Sequence, residues 1–181
     1  LSDIGGQALL VRFPVVEAAN LDYRSRDRVA QVARLDVDGT LIDVYVTHLQ
    51  AGDDEEADRQ FQVERLLRWI DSRDDVGAKV ICGDFNATPD APSARKIAAR
   101  FRSVQSAPTA STLNTPLDKR GPDWQPLSRF IDYIWVGGSV SVRDSGLCFD
   151  RPHADVGESR ERPPFNPLPE REVQNRGSQD K

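Results

Sequence analysis

Residues 32–48, VARLDVDGTLIDVYVTH, constrain the fold of this chain more than any other stretch. Asp38-Gly39 is a two-residue turn signal, because both central positions of a tight hairpin turn want positive φ, which Gly adopts freely and Asp tolerates. Apolar residues alternate on either side. Val29, Ala33, Leu35 and Val37 precede the turn, and Ile42, Val44 and Val46 follow it on one face. A pleated strand sends successive side chains to opposite sides, so this period predicts two antiparallel strands. His48 keeps the parity of Ile42, Val44 and Val46 and continues their face as the second strand ends.

The period then changes. In residues 53–75, Val63, Leu66, Leu67 and Ile70 follow i, i+3, i+4, i+7, which predicts an amphipathic helix. Its acidic start suits the positive end of the helix dipole, and Asp53 and Glu56 are spaced like a capping box. AKVICG at 78–83 reads as a short buried strand, and SARKIAARF at 93–101 as a short helix with Ser93 as its cap. FIDYIWV at 130–136 and VSVRDSGLCF at 140–149 read as two strands joined at Gly137-Gly138. A further strand is expected at residues 7–13, stopped by Pro14, with a polar loop after it. Strands interleaved with helices in this way imply an α/β sandwich with a mixed sheet.

With 181 residues the chain has the length of one domain. That domain is expected over residues 1–150. Residues 151–181 hold five of the twelve prolines with much charge and no apolar period, and a disordered tail is expected there. No apolar run reaches the roughly 18 residues needed to cross a membrane. The two cysteines, Cys82 and Cys148, have no metal-ligand spacing and read as small core fillers. The chain has no Met and begins at Leu1, so a fragment or trimmed product is expected, with the cytoplasm as its compartment and a monomer as its state.

Charge narrows the function. Lys and Arg number 24 against 29 Asp and Glu, a net charge of -5, which disfavours a module that only binds nucleic acid, because clustered cations hold the phosphate backbone. The polar residues at the predicted strand ends are more informative. Asp84 and Asn86 directly follow the KVICG strand, where they serve either a turn or a site. Asp132 stands among large apolar residues, where an unpaired carboxylate costs several kcal/mol, so it has a partner in a salt bridge, an edge position or a site. His48 is either a hydrogen-bonded core residue or a catalyst. Trp69 and Trp135 fall in regular elements and read as packing, whereas Trp124 falls in a loop.

These residues occur in an ordered series. THLQ at 47–50, Arg59-x-x-Gln62 on the helix, GDFNATP at 83–89 and IDYIWV at 131–136 resemble the endonuclease/exonuclease/phosphatase superfamily of metal-dependent hydrolases, and GQALLVRFPV at 6–15 resembles its approach to the central hairpin. The resemblance implies a DNase-I-like four-layer α/β/β/α sandwich, incomplete at both ends, and Mg2+-dependent hydrolysis of phosphoesters, with Mn2+ as a substitute. It implies that His48 and Asn86 hold a phosphate oxygen, that Asp84 orients or deprotonates the attacking water, and that Asp132 orients a second histidine. The substrate class, whether nucleic acid, phospholipid or inositol phosphate, is left to the loop before Asp132, where Lys119, Arg120 and Trp124 are candidate substrate contacts.

The match is partial. The family's closing Ser-Asp-His triplet has no counterpart, His153 is the one other histidine, and the positions of an early asparagine and a metal-binding glutamate fall upstream of the matched segment. Arg129 stands three residues before Asp132 instead of two. A truncated or degenerate, non-catalytic member of the same fold is therefore the alternative expectation.

Overall fold

The computed structural model describes residues 7–105, 113–114 and 128–145. Three antiparallel strands come first: β1 (Val15–Asp22), β2 (Val29–Val37) and β3 (Thr40–His48). Helix α1 (Glu56–Asp71) leads to β4 (Ala78–Asp84), which pairs in parallel with β3. Helix α2 (Pro92–Ala98) and the short β5 (Arg102–Ser103) follow. The two-residue strands β6 (Leu113–Asn114) and β7 (Ser128–Arg129) pair with each other, and β8 (Asp132–Gly137) returns antiparallel to β4. The main sheet has six strands in the order β1-β2-β3-β4-β8-β5.

The hairpin forms as its sequence predicts. Val37 pairs with Thr40 across Asp38 and Gly39, whose φ angles of 51° and 85° suit the right-handed twist of the strands. The register sets Leu35 opposite Ile42 and Ala33 opposite Val44, so the predicted apolar set does share a face. The helices, however, cover the other face. Val63, Leu66, Leu67 and Ile70 of α1 and Ala94 and Ile97 of α2 pack in one cluster with Val32, Tyr45, Ile81, Tyr133 and Trp135. Ile42, Val44, Val46, Val80 and Cys82 on the opposite face are only half-buried, and Ile134 is 41% exposed. Among the described residues, then, one sheet and the helical layer on one of its faces account for two of the four expected layers.

Several local expectations are corrected. Residues 7–13 form no strand; β1 begins after Pro14 and runs through the segment read as a loop. It is an edge strand, so Glu17, Asn20 and Asp22 keep their polar groups in or near solvent at little cost. No capping box forms at α1. Asp53 bonds to Arg129 at 2.5 Å, while the Glu56 carboxylate accepts the Arg59 Nε–H at 2.9 Å and the backbone N–H of Ser93 at 2.7 Å. Ser93 is thus inside α2 and not its cap; Ala91 is at that position with Pro92 following. Residues 140–145 carry no strand, and the rest of that predicted strand, Cys148, His153 and residues 151–181 lie outside the described residues.

Packing settles the tryptophans read as core: Trp135 stacks on Tyr133 and Trp69 meets Tyr45 edge-on, at centroid distances of 4.9 and 5.5 Å. At the far end of the sheet, fully buried Asp43 receives two bonds from Arg34, at 2.8 and 3.1 Å, and Arg34 also donates two to Asp75. A carboxylate there is tolerable because its charge is paired and its lone pairs are used.

Candidate functional site

β3 and β4 run in parallel and end together, and β8 starts beside them. The register sets His48 opposite Asp84 and Asp84 opposite Asp132. Three of the four residues expected to be catalytic therefore lie in one row across three adjacent strands, on the face that the helices leave open. Ligands in α/β sheets collect beyond the carboxyl ends of parallel strands, where side chains converge on a rigid support.

Local chemistry fixes the row. Gly83 has a φ of 143°, and a Cβ there would stand 1.8 Å from the carbonyl oxygen of Thr47, so only Gly lets β4 approach β3 at this point. Thr47 is held from the other side by its hydroxyl, which shares a 2.8 Å hydrogen bond with the buried Tyr23 phenol. After β4 the chain turns sharply. Asn86 adopts a φ of 47°, which Asn tolerates better than most residues, and its backbone N–H donates to Asp84 Oδ1 at 2.8 Å. The turn reading of Asp84 and Asn86 is thus correct, and it also places them at the row.

The three connections around the row are tied together. Leu49 N–H donates to the Asp84 carbonyl at 2.9 Å, Asn86 Nδ2 donates to the Leu49 carbonyl at 3.0 Å, and Phe85 N–H donates to the Ile131 carbonyl at 2.9 Å. One N–H of the Asn86 carboxamide is spent on this tie; the group carries two. The Tyr133 phenol donates to the Ala87 carbonyl at 2.8 Å.

The Arg59-x-x-Gln62 pair has a structural role. Both residues are buried. Arg59 Nη1 donates to the carbonyls of Gln50 and Gly52 at 3.1 and 2.6 Å, and Gln62 Oε1 accepts the Gln50 N–H at 2.9 Å. Gln62 Nε2 donates in turn to the carbonyl and the hydroxyl of Ser25, at 3.4 and 3.3 Å. One buried carboxamide therefore joins the loop after His48 to the turn before β2.

That turn carries a residue that sequence reasoning missed. Arg28 Nη1 lies 3.0 Å from His48 Nδ1, and Arg28 Nε donates to Gln50 Oε1 at 3.4 Å. On the other side of the ring, His48 Nε2 lies 3.7 Å from Asp84 Oδ2. Burial holds the His48 pKa below its ordinary value and the Arg28 charge lowers it further, against the opposing pull of Asp84 and Asp132. Arg28 immediately precedes a strand and belongs to no motif, so only its contact with His48 gives it away.

Lys119, Arg120 and Trp124 lie outside the described residues. Among the described residues no group of three or more His, Cys, Asp or Glu side chains is placed to hold a metal ion. Asp84 and Asp132 are oxygen donors of the kind a hard cation takes, but the described donors do not complete a site.

A mixed sheet with helices on one face and His48, Asp84, Asn86 and Asp132 at its strand ends defines a class of protein. The sequence profile of the Endonuclease/Exonuclease/phosphatase family matches residues 2–154, and the chain belongs to this family. The fold is shared with solved structures. The human Nocturnin catalytic domain with bound sulfate anion matches at 24% identity and TM-score 0.57, over 70% of this chain and 48% of that one. TDP2 of D. rerio complexed with single strand DNA product matches at 16% identity and TM-score 0.58, over 75% and 56%. Sphingomyelinase C from Streptomyces griseocarneus matches at 16% identity and TM-score 0.54, over 70% and 50%. The chain spans about half the length of these structures, and at such identities the likeness is one of fold. No curated protein matches the sequence.

Proposed function

We propose that this chain is part of a metal-dependent hydrolase of phosphoester bonds and carries the side of the site that holds the phosphoryl group. The observation that supports this reading most is the in-register row of His48, Asp84 and Asp132. His48 Nε2–H donates to a non-bridging phosphate oxygen, and the second N–H of the Asn86 carboxamide donates to the same group. Both stabilise charge on the phosphoryl oxygens as the bond to the incoming water oxygen forms and the ester P–O bond breaks, the leaving oxygen departing with a proton taken from solvent. Asp84 Oδ1 is engaged by the Asn86 N–H, which fixes the carboxylate and leaves Oδ2 to orient the attacking water and accept its proton. Asp132 is proposed, from the family resemblance, to orient the imidazole of a second histidine.

The proposed cofactor is Mg2+, with Mn2+ as a substitute, on the strength of family membership and the oxygen donors of the row; when bound it supplies a Lewis acid for the phosphoryl oxygen. Lys119, Arg120 and Trp124 are proposed substrate contacts on sequence grounds. Residues 1–150 are proposed as the domain, monomeric and cytoplasmic; in the described residues no helix is long and apolar enough to cross a membrane. The substrate class is tested on the full-length parent protein that contains this chain, with a panel of single-stranded DNA, RNA, sphingomyelin and an inositol polyphosphate, each with Mg2+ and with a chelator. Chelator-sensitive cleavage of at least one is expected, and no cleavage of any would overturn the proposal.

A further inference from the structure

We propose that Arg28 is a positioning residue that fixes His48 as the neutral tautomer with its proton on Nε2. This rests on the reading of His48 as a phosphate donor, but its geometry stands apart from that reading. A guanidinium carries five N–H donors and no acceptor. Its Nη1, 3.0 Å from His48 Nδ1, can only donate, so Nδ1 must present its lone pair. The ring proton is thereby sent to Nε2. A doubly protonated ring would face Arg28 with an N–H against an N–H and two positive charges in contact.

The outcome suits the row. Nε2 lies 3.7 Å from Asp84 Oδ2, beyond hydrogen-bond length, so its proton is not consumed by the carboxylate and is available to an acceptor approaching beside it. Arg28 is itself held. Its backbone N–H donates to the Ser25 carbonyl at 3.2 Å and its carbonyl accepts the Tyr23 N–H at 3.1 Å, closing a turn that the buried Gln62 anchors through Ser25. The same Gln62 holds the loop after His48, so donor and ring are referred to one point on α1.

The charged groups acting on the ring are Arg28 from the turn before β2, Asp84 from β4 and Asp132 from β8. The cation opposes protonation and the two carboxylates favour it. Without Arg28, the Nδ1 lone pair loses its donor.

The test is 15N NMR of the imidazole nitrogens in the full 181-residue chain, with His153→Gln to assign the two histidines. At neutral pH, His48 is expected to show a bare Nδ1 and a protonated Nε2. In Arg28→Ala the two lines should move toward each other as the proton is shared between the two nitrogens. Arg28→Lys, which keeps a donor and the charge, should retain the wild-type pattern. A proton on Nδ1 in the wild type overturns the proposal even if Arg28→Ala fails to fold, and so does an Arg28→Ala spectrum whose two lines match wild type. Hydrolysis enters neither reading, so loss of the proposed function would leave the tautomer result intact.

Discussion

His48 and Asp84 end two parallel strands side by side, with Nε2 and Oδ2 3.7 Å apart. That gap is too long for a direct hydrogen bond, and Arg28 on the far side of the ring keeps the imidazole from closing it as an imidazolium.

The backbone contact beneath this pair leaves no room for a side chain on Gly83. Gly83→Ala puts a methyl group 1.8 Å from the Thr47 carbonyl oxygen at a φ that L residues avoid. The expected loss is about 3 kcal/mol or more, because the strain cannot be relieved without separating β3 from β4. A urea unfolding midpoint equal to wild type would contradict it.

Gln62 ties the turn before β2 to the loop after β3. Gln62→Leu keeps the volume but leaves the Gln50 N–H without its partner, at an expected cost of about 1–3 kcal/mol. Amide hydrogen exchange should quicken at Gln50 while the centre of β4 stays protected. Unchanged exchange at Gln50 would show that the carboxamide is not the tie.

At the opposite end of the sheet, Asp43 is fully buried and paired with Arg34, whose side chain is 11% exposed. Asp43→Ala leaves that guanidinium with one carboxylate partner fewer in a dry environment, and the expected destabilisation is about 3–5 kcal/mol. Replacing both, as Asp43→Leu with Arg34→Met, should cost much less than the sum of the single changes. Additive effects in this double-mutant cycle would contradict the pairing.

The pH dependence has a definite sign. The folded-state pKa of His48 lies below its ordinary 6.5, so the unfolded chain binds more protons between the two values and stability falls as pH drops through that window. The carboxylates of Glu17, Asp71 and Asp75 are held low by arginine partners and lose their contribution as pH falls further. Thermal unfolding from pH 8 to pH 4 should show a plateau above about 7 and a decline below it. His48→Gln should flatten the upper part of the decline, and an unaltered profile would count against a depressed pKa.

What could be read from the sequence was what local chemistry determines. Asp38-Gly39 and the alternation around it specified a hairpin because turn and pleat act over a few residues. Val63, Leu66, Leu67 and Ile70 specified the helix and its buried face. The order of His48, Asp84 and Asp132 specified the row once the strands were placed. What could not be read depended on partners far along the chain. Asp53, spaced to cap α1, is drawn to Arg129, and Ser93 serves Glu56 from inside α2. β1 was hidden because an edge strand needs no apolar alternation. Asp43 broke the buried face in sequence, and only the arginines packed around it explain why. Arg28 had no motif to mark it.

His48, Asp84 and Asp132 are proposed to form one phosphoester site. The most direct measurement is the rate of hydrolysis of bis(p-nitrophenyl) phosphate with Mg2+ by the full-length parent protein and by its His48→Ala, Asp84→Ala and Asp132→Ala variants, each checked for folding by its amide spectrum. The account predicts that each folded variant loses on the order of 100-fold or more in kcat/KM, and that the His48→Ala, Asp84→Ala double variant falls well short of the product of the two losses. Wild-type rates in folded Asp84→Ala or His48→Ala would contradict it.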